Sequence, residues 1–144
     1  MFKSIDHDEV QDVISKYNQF AKSKSIVRIN LQRLEELFRY NNLFISKVEN
    51  KETNGLSSHF YLRSGDRIRL LYSLNETDRS KRTDQFINKF LHWWDIKYFK
   101  QNATATIYDF GGVSGDKSTA NIDNFKRSFS TNYETSYKYW SVFS

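Results

Sequence analysis

The residues best suited to chemistry stand near a pair of glycines that follows a β-prone segment. Tyr108-Asp109-Phe110 leads directly into Gly111-Gly112, and adjacent glycines let a ligand or another chain approach the backbone closely because no Cβ intervenes. A short predicted helix downstream carries Phe125-Lys126, which would bring a cation to that opening if the helix packs back on the sheet. Asp109 could act as a general base there or could only fix the turn. The alternative for the whole motif is a plain strand-to-loop turn beside a surface lysine.

A second candidate site is a basic, polar segment just before the longest predicted helix. Within 74–82 the cations are Arg79, Lys81 and Arg82, and Thr83 follows them. A helix N-terminus offers unpaired N–H groups and a partial positive charge, so it attracts phosphate. The segment therefore predicts a phosphate-binding loop, with a solvated charged loop as the alternative.

Other kinds of site are excluded or disfavoured by residue type. The chain has no cysteine, which excludes disulfides, thiol catalysis and Cys-based zinc sites. His7, His59 and His92 are too scattered in sequence to indicate a metal cluster, and His59 and His92 are expected to be structural.

Composition and charge indicate a folded protein with a mildly basic surface. Lys plus Arg outnumber Asp plus Glu by 22 to 17, which leaves a net charge of +5; this permits RNA or another phosphate-bearing partner without requiring one. The 38% hydrophobic content argues against disorder. Because no apolar run reaches the ~18 residues of a membrane span, we expect a soluble, cytoplasmic protein.

Hydrophobic periodicity predicts the elements that must position these sites. Helices are expected over 6–22, 31–40, 83–101 and 120–129. Strands are expected over 43–48, 59–63, 67–73, 104–110 and 133–143. This order predicts one α/β (α+β) domain over 1–144, with a mixed, mostly antiparallel sheet flanked by helices. The helix over 83–101 is the only connection long enough to join a parallel pair of strands.

The spacing within the helix over 83–101 also predicts which side faces the core. Its apolar residues recur every three or four positions and are expected to face the sheet: Phe86, Ile87, Phe90, Leu91, Trp94 and Tyr98. Its charged residues are expected to point away: Asp84, Lys89, Asp95 and Lys97.

The sequence YDFGGV at 108–113, followed by FKRSF at 125–129, resembles the C-terminal part of the GNAT-like acyltransferase domain in the Fem family of peptidyltransferases. Those enzymes add amino acids to the peptidoglycan stem peptide. The segments HFYL at 59–62, RIRLLYS at 67–73 and HWWD at 92–95 are similar as well, so the resemblance covers 43–133. The chain departs from the family in having Ser130 where the family has glycine, one domain instead of two, and no helical arm.

The resemblance implies a GNAT-like fold and transfer of an acyl or aminoacyl group to an amine acceptor such as a cell-wall peptide. It assigns charge stabilisation to the Phe125 N–H and to Lys126. Substrate contacts are assigned to Tyr72, Tyr108, Gly111 and Gly112, with Asp109 beside them. Arg79, Lys81, Arg82 and Thr83 would bind donor phosphate. The donor would be acyl-CoA or aminoacyl-tRNA, and the absence of glycine between Gly65 and Gly111 favours the tRNA.

Two alternatives stay open at this point. One is a non-catalytic module of the same fold that binds RNA or a protein partner through the basic loop and the aromatic C-terminal strand. The other is a domain that functions only as a homodimer. A catalytic domain should show an open cleft between two splayed strands, with Gly111-Gly112 on its floor and Lys126 at its rim.

Overall fold

A computed structural model describes residues 7–25, 28–40, 42–76, 84–102, 105–113, 117 and 120–129. The predicted phosphate-binding residues, Arg79, Lys81, Arg82 and Thr83, lie outside the described residues, and so does the strand predicted over 133–143. The chain divides into two compact units, Met1–Gly111 and Gly112–Ser144.

The first unit contains three helices and four strands among the described residues. The helices are α1 (His7–Lys24), α2 (Leu31–Arg39) and α3 (Asp84–Asn102). The strands are β1 (Leu43–Asn50), β2 (Gly55–Ser64), β3 (Arg67–Glu76) and β4 (Ile107–Asp109). In the second unit the described helix is α4 (Ala120–Arg127). The prediction of a mixed α/β chain with a helix-flanked sheet is confirmed.

The four strands form one sheet in the order β1-β2-β3-β4. The first two pairings are antiparallel, and the hairpin between β2 and β3 turns at Gly65, whose φ of +61° favours glycine. The third pairing, between β3 and β4, is parallel. The long helix α3 connects these two strands, as a parallel pair requires.

An apolar core lies on the side of the sheet that α1 and α2 cover. In α1 the residues Val10, Val13, Ile14, Tyr17 and Ala21 are buried at helical spacing, which is why this segment folds as an amphipathic helix. The α2 helix begins at an N-cap, where the side-chain oxygen of Asn30 accepts a hydrogen bond from the Arg33 N–H at 3.2 Å. The sheet contributes the remaining apolar surface: Leu43, Ile45, Leu56, Phe60 and Leu74.

On α3, the sequence-based prediction of the buried face is wrong for three residues. Phe86 and Phe90 are exposed, whereas Asp95 is completely buried. The sheet presents polar side chains to α3, so the helix turns the stripe that contains His92 and Asp95 inwards. Apolar residues occur around most of the circumference of α3, and their spacing therefore does not select one face. Within the part of the chain that the structure describes, no helix has the length and apolar character to cross a bilayer.

Candidate functional site

The parallel pair of β3 and β4 is short and leaves an open strand edge. Its register joins Arg67 to Ile107, Ile68 to Tyr108 and Arg69 to Asp109. β3 then continues to Glu76, whereas β4 ends at Asp109. Among the described residues, no strand pairs with 70–76 on the side away from β2. Such an edge offers backbone donors and acceptors to an extended ligand.

An unpaired acceptor lies in the same stretch of β3. The side-chain oxygen Oδ1 of Asn75 is buried and has no hydrogen-bond donor. Buried acceptors are normally paired, because leaving one unpaired costs about 1–3 kcal/mol. Because solvent does not reach this oxygen, it is a local cost within the fold and not a contact for a ligand at the strand edge.

Asp109 ties down the end of β4. Its Oδ1 accepts a hydrogen bond from the Gly111 N–H at 2.7 Å, and its Oδ2 accepts one from Arg67 Nη1 at 3.1 Å. Arg69 Nε lies 3.8 Å from the same oxygen. Gly111 has a φ of +78°, a conformation that favours glycine. These contacts engage both oxygens of Asp109 and favour the turn-fixing role over the general-base role.

In the second unit the structure brings Lys126 and Gly112 together. The Lys126 ammonium donates a hydrogen bond to the Gly112 carbonyl oxygen at 2.5 Å. Lys126 is half-buried, whereas the adjacent Arg127 is exposed.

Phe125 does not offer its N–H to a ligand in the way that the resemblance implies. It is the sixth residue of α4, which begins at Ala120, and helix geometry directs an N–H at that position to the carbonyl of Asn121. The unpaired N–H groups of a helix belong to its first turn. The Phe125 ring packs on Phe129 with 5.2 Å between ring centroids, so its structural role is in packing.

Tyr72 and Tyr108, which the resemblance assigns to one substrate channel, lie on opposite faces of the sheet. Tyr72 packs against Tyr17 and Phe60 in the core beside α1, with ring centroids 5.3 and 6.1 Å away. Tyr108 packs on the α3 side with Tyr61. The structure therefore does not bring these two tyrosines together.

A buried polar cluster lies between α3 and the sheet, beside a second apolar cluster formed around Tyr61, Ile68 and Phe99. Two serines, two histidines, two tyrosines, one asparagine and one aspartate contribute to the polar cluster. Its members are Ser46, Ser57, His59, Tyr61, Asn88, His92, Asp95 and Tyr108. Neither His59 nor Asp95 is exposed to solvent at all.

Asp95 is the centre of the buried polar cluster. Its Oδ2 accepts hydrogen bonds from His59 Nδ1 at 2.7 Å, from the Tyr61 hydroxyl at 2.5 Å and from Ser46 Oγ at 2.9 Å. Its Oδ1 is buried without a hydrogen-bond partner. One carboxylate oxygen thus joins α3 to both β1 and β2.

Further hydrogen bonds extend the cluster in two directions. Towards β4, the Tyr61 hydroxyl lies 2.6 Å from the Tyr108 hydroxyl, which lies 3.0 Å from His92 Nδ1. Towards the start of α3, His59 Nε2 lies 2.9 Å from Asn88 Oδ1. His59 therefore connects Asp95 and Asn88, two residues of α3, through its two ring nitrogens.

Burial keeps the other titratable members of the cluster neutral. Desolvation and the neighbouring His59 lower the pKa of His92 to about 2. Desolvation raises the pKa of both Tyr61 and Tyr108 above the ordinary tyrosine value. The rings of His59 and His92 are only 4.0 Å apart, so charge on both would be strongly unfavourable.

The buried polar cluster fixes the position of α3 and β4 and does not contact substrate, because solvent does not reach its centre. The expectation that His59 and His92 are structural agrees with these contacts. Asp95 was missed as a buried residue, although Asn88, His92 and Asp95 recur at positions i, i+4 and i+7. That polar stripe was the available signal. Among the described residues, no group of three or more His, Cys, Asp or Glu could hold a metal ion.

Comparison with known proteins leaves the sequence without an assigned relative. No protein-family model matches it, and a search of curated proteins found no match.

Proposed function

We propose that this chain is an acyltransferase or aminoacyltransferase domain with a GNAT-like fold, similar to one domain of the Fem peptidyltransferases. One observation carries the proposal: β3 and β4 are parallel neighbours that pair over three residues, after which β3 continues without β4. This arrangement supports an opening between two strands at which an activated carbonyl can be held.

The open edge of β3 is suited to the donor. Residues 70–76 have no β4 partner beside them. An extended donor arm with amide groups would hydrogen-bond to such an edge as an added strand does. Acyl-CoA and aminoacyl-tRNA are the two donor classes, and the resemblance favours the tRNA. Phosphate binding by Arg79, Lys81, Arg82 and Thr83 remains part of this proposal.

The proposed reaction forms an amide from an amine and an activated ester or thioester. The neutral amine attacks the carbonyl carbon, and negative charge develops on the carbonyl oxygen. The C–O or C–S bond then breaks, and the proton lost by the amine ends on the departing hydroxyl or thiol. A fixed donor near the developing charge can lower the barrier by ~2.7–4 kcal/mol. The resemblance assigns such a role to the Lys126 ammonium, and the proposal keeps that assignment.

The test is a transfer assay with acetyl-CoA and aminoacyl-tRNA as donors and an amine-bearing cell-wall peptide as acceptor. Lys126→Ala should lower kcat by roughly 100- to 1000-fold, because it removes the cation from the developing charge. Arg127→Ala is the matched control, since it removes an exposed cation from the next position of α4. It should stay within about threefold of the unaltered protein.

Three results would contradict parts of this proposal. Equal activity of the two variants would remove Lys126 from the mechanism. Failure to bind or transfer either donor would reject the transferase function. Binding of RNA or a protein partner without transfer would favour the non-catalytic alternative, and for RNA the affinity should fall steeply with salt as counterions are released.

A further inference from the structure

We propose that the outer face of α3 docks on the surface of an anionic lipid bilayer. Three large side chains form an outer stripe on this helix: Phe86, Phe90 and Trp93 are 55, 51 and 56% exposed. Their spacing of four and three residues aligns them along one side of the helix. This proposal does not depend on the transferase function, because docking needs neither donor nor acceptor.

The outer stripe faces away from the side chains that α3 buries. These buried side chains are Ile87, Leu91, His92, Asp95 and Phe99. At 100° per residue the outer stripe lies roughly opposite them. An aromatic stripe directed at solvent is unfavourable in a free surface helix, and contiguous exposed apolar patches commonly mark binding surfaces.

Lysines accompany the outer stripe. Lys89, Lys97 and Lys100 are exposed, and by helix geometry each lies within about 60° of the line through Phe86. Lys97 Nζ lies 5.2 Å from the centre of the Trp93 ring. Within 86–102 the only carboxylate is Asp95, which is buried on the opposite side. Aromatic side chains flanked by lysines are typical of helices that lie in the headgroup region of anionic membranes.

The arrangement of the rings favours a bilayer over a single-stranded nucleic acid. Stacking of a base requires an open ring face, whereas Lys97 lies over the Trp93 ring. Phe90 and Trp93 pack on each other with their planes tilted by 32° and their centroids 6.3 Å apart. The rings therefore form a continuous apolar ridge, which can enter a headgroup layer without a matching groove in the partner.

Charge near the start of α3 predicts the depth at which each part of the helix docks. A shallow groove of about 430 Å³ adjoins Phe86 and Phe90, and Glu49 and Glu52 are among its lining residues. These carboxylates would be repelled by anionic lipid. The half of α3 with Trp93, Lys97 and Lys100 should therefore penetrate most deeply, and substitutions should weaken docking in the order Trp93, Phe90, Phe86.

The experiment is co-sedimentation of the full chain with vesicles of phosphatidylglycerol and phosphatidylethanolamine, compared with phosphatidylcholine vesicles. We expect binding to the anionic vesicles only. Each Lys→Gln change at Lys89, Lys97 or Lys100 should weaken it roughly fivefold, since one cation near such a surface contributes about 1 kcal/mol. Phe90→Ser with Trp93→Ser should weaken it more than about tenfold.

Matched controls separate the outer stripe from general surface apolarity. Tyr40→Ser and Ile122→Ser remove residues that are 72 and 56% exposed elsewhere in the chain, and neither should change vesicle binding. Replacing Glu49 and Glu52 by Gln should strengthen binding, because it removes the repulsive charges. Circular dichroism of each variant verifies that the helices remain folded.

The proposal would be overturned by several distinct results. Absence of binding to anionic vesicles would reject it, as would equal binding to neutral ones. A double Phe90→Ser, Trp93→Ser variant that binds as well as the unaltered chain would also reject it. A dimer in sedimentation equilibrium that dissociates on Trp93→Ser would instead assign the stripe to a second copy. Binding of an RNA oligonucleotide that depends on Trp93 would assign it to RNA.

Discussion

The two faces of the sheet are held by different kinds of interaction. On the α1 and α2 side, aliphatic and aromatic residues such as Ile14, Phe60 and Leu74 form an apolar core. On the α3 side, hydrogen bonds around Asp95 lie beside a smaller apolar cluster of Tyr61, Ile68 and Phe99. Apolar contacts are non-directional and tolerate small shifts. A buried polar network is favourable only when its donors meet their acceptors, so the α3 side defines the position of its helix more strictly.

Among the substitutions that test this difference between the two faces, removal of Asp95 should lower the free energy of unfolding most. Asp95→Ala leaves His59, Tyr61 and Ser46 without their shared acceptor. The free energy of unfolding should fall by about 3–5 kcal/mol, because each buried donor left unpaired costs about 1–3 kcal/mol. Urea denaturation measures this change.

A surface carboxylate provides the control for that prediction. Asp12 pairs with Lys16 at 3.0 Å on exposed positions of α1, and Asp12→Ala should cost less than about 0.5 kcal/mol. If Asp95→Ala destabilised the protein no more than Asp12→Ala, the cluster would not hold α3 in place.

Acid should lower the stability of the folded protein through His92, which lies on the α3 side of the sheet. Its folded-state pKa is lowered to about 2 from an ordinary value of 6.5, so below pH 6.5 the unfolded chain binds a proton that the folded chain excludes. The stability from neutral His92 is complete above pH 6.5 and falls as the pH drops towards 2. At 1.36 kcal/mol per pH unit, the exclusion of a proton from His92 should lower the free energy of unfolding by about 2 kcal/mol at pH 5.

Urea denaturation between pH 7 and pH 5 tests this effect. The titratable groups that contact His92 include His59 and Tyr108. His92→Gln should reduce the dependence of the unfolding free energy on pH, even if it lowers stability at every pH. An unchanged slope in that variant would show that His92 is not the group responsible.

Loss of one hydroxyl from the cluster should have the smallest effect. Tyr108→Phe removes the link between Tyr61 and His92 and should lower the free energy of unfolding by about 1–2 kcal/mol, because a buried donor or acceptor is left unpaired. On the apolar side, Ile14→Val should cost about 0.5–1.5 kcal/mol.

The stability costs of these two substitutions should differ more in their pH dependence than in their magnitude. The cost of Tyr108→Phe should change between pH 7 and pH 5, since Tyr108 contacts His92. The cost of Ile14→Val should not change, because no titratable group is lost. Identical pH profiles for the two would contradict the distinction between the two faces.

Much of the fold could be predicted from local pattern. The α1 helix, the hairpin of β2 and β3 and the long crossover helix each have a periodicity or a turn that short-range physics specifies. β4 was expected over 104–110 but pairs only over Ile107–Asp109, since the length of a strand depends on its partner. The sequence predicts chain bends at Gly65 and Gly111, and both residues have positive φ.

The candidate site was less predictable because it depends on register and orientation. The pairing of β2 with β3 contains a register shift between Phe60 and Tyr61. This shift interrupts the alternation of side chains between the two faces of the sheet. Tyr72 packs on the α1 side and Tyr108 on the α3 side, although both were assigned to one channel. The position of Phe125 within α4 likewise decides that its N–H belongs to the helix.

The sequence by itself determined the elements, their order and the parallel crossover, because backbone preference and hydrophobic period act over a few residues. Only the tertiary structure decided that α3 buries Asp95 and exposes Trp93. A helix with aromatic residues on several sides can be rotated about its axis at little apolar cost. The partners of Asp95 come from β1 and β2, far away in sequence, and they exist only once the sheet has formed.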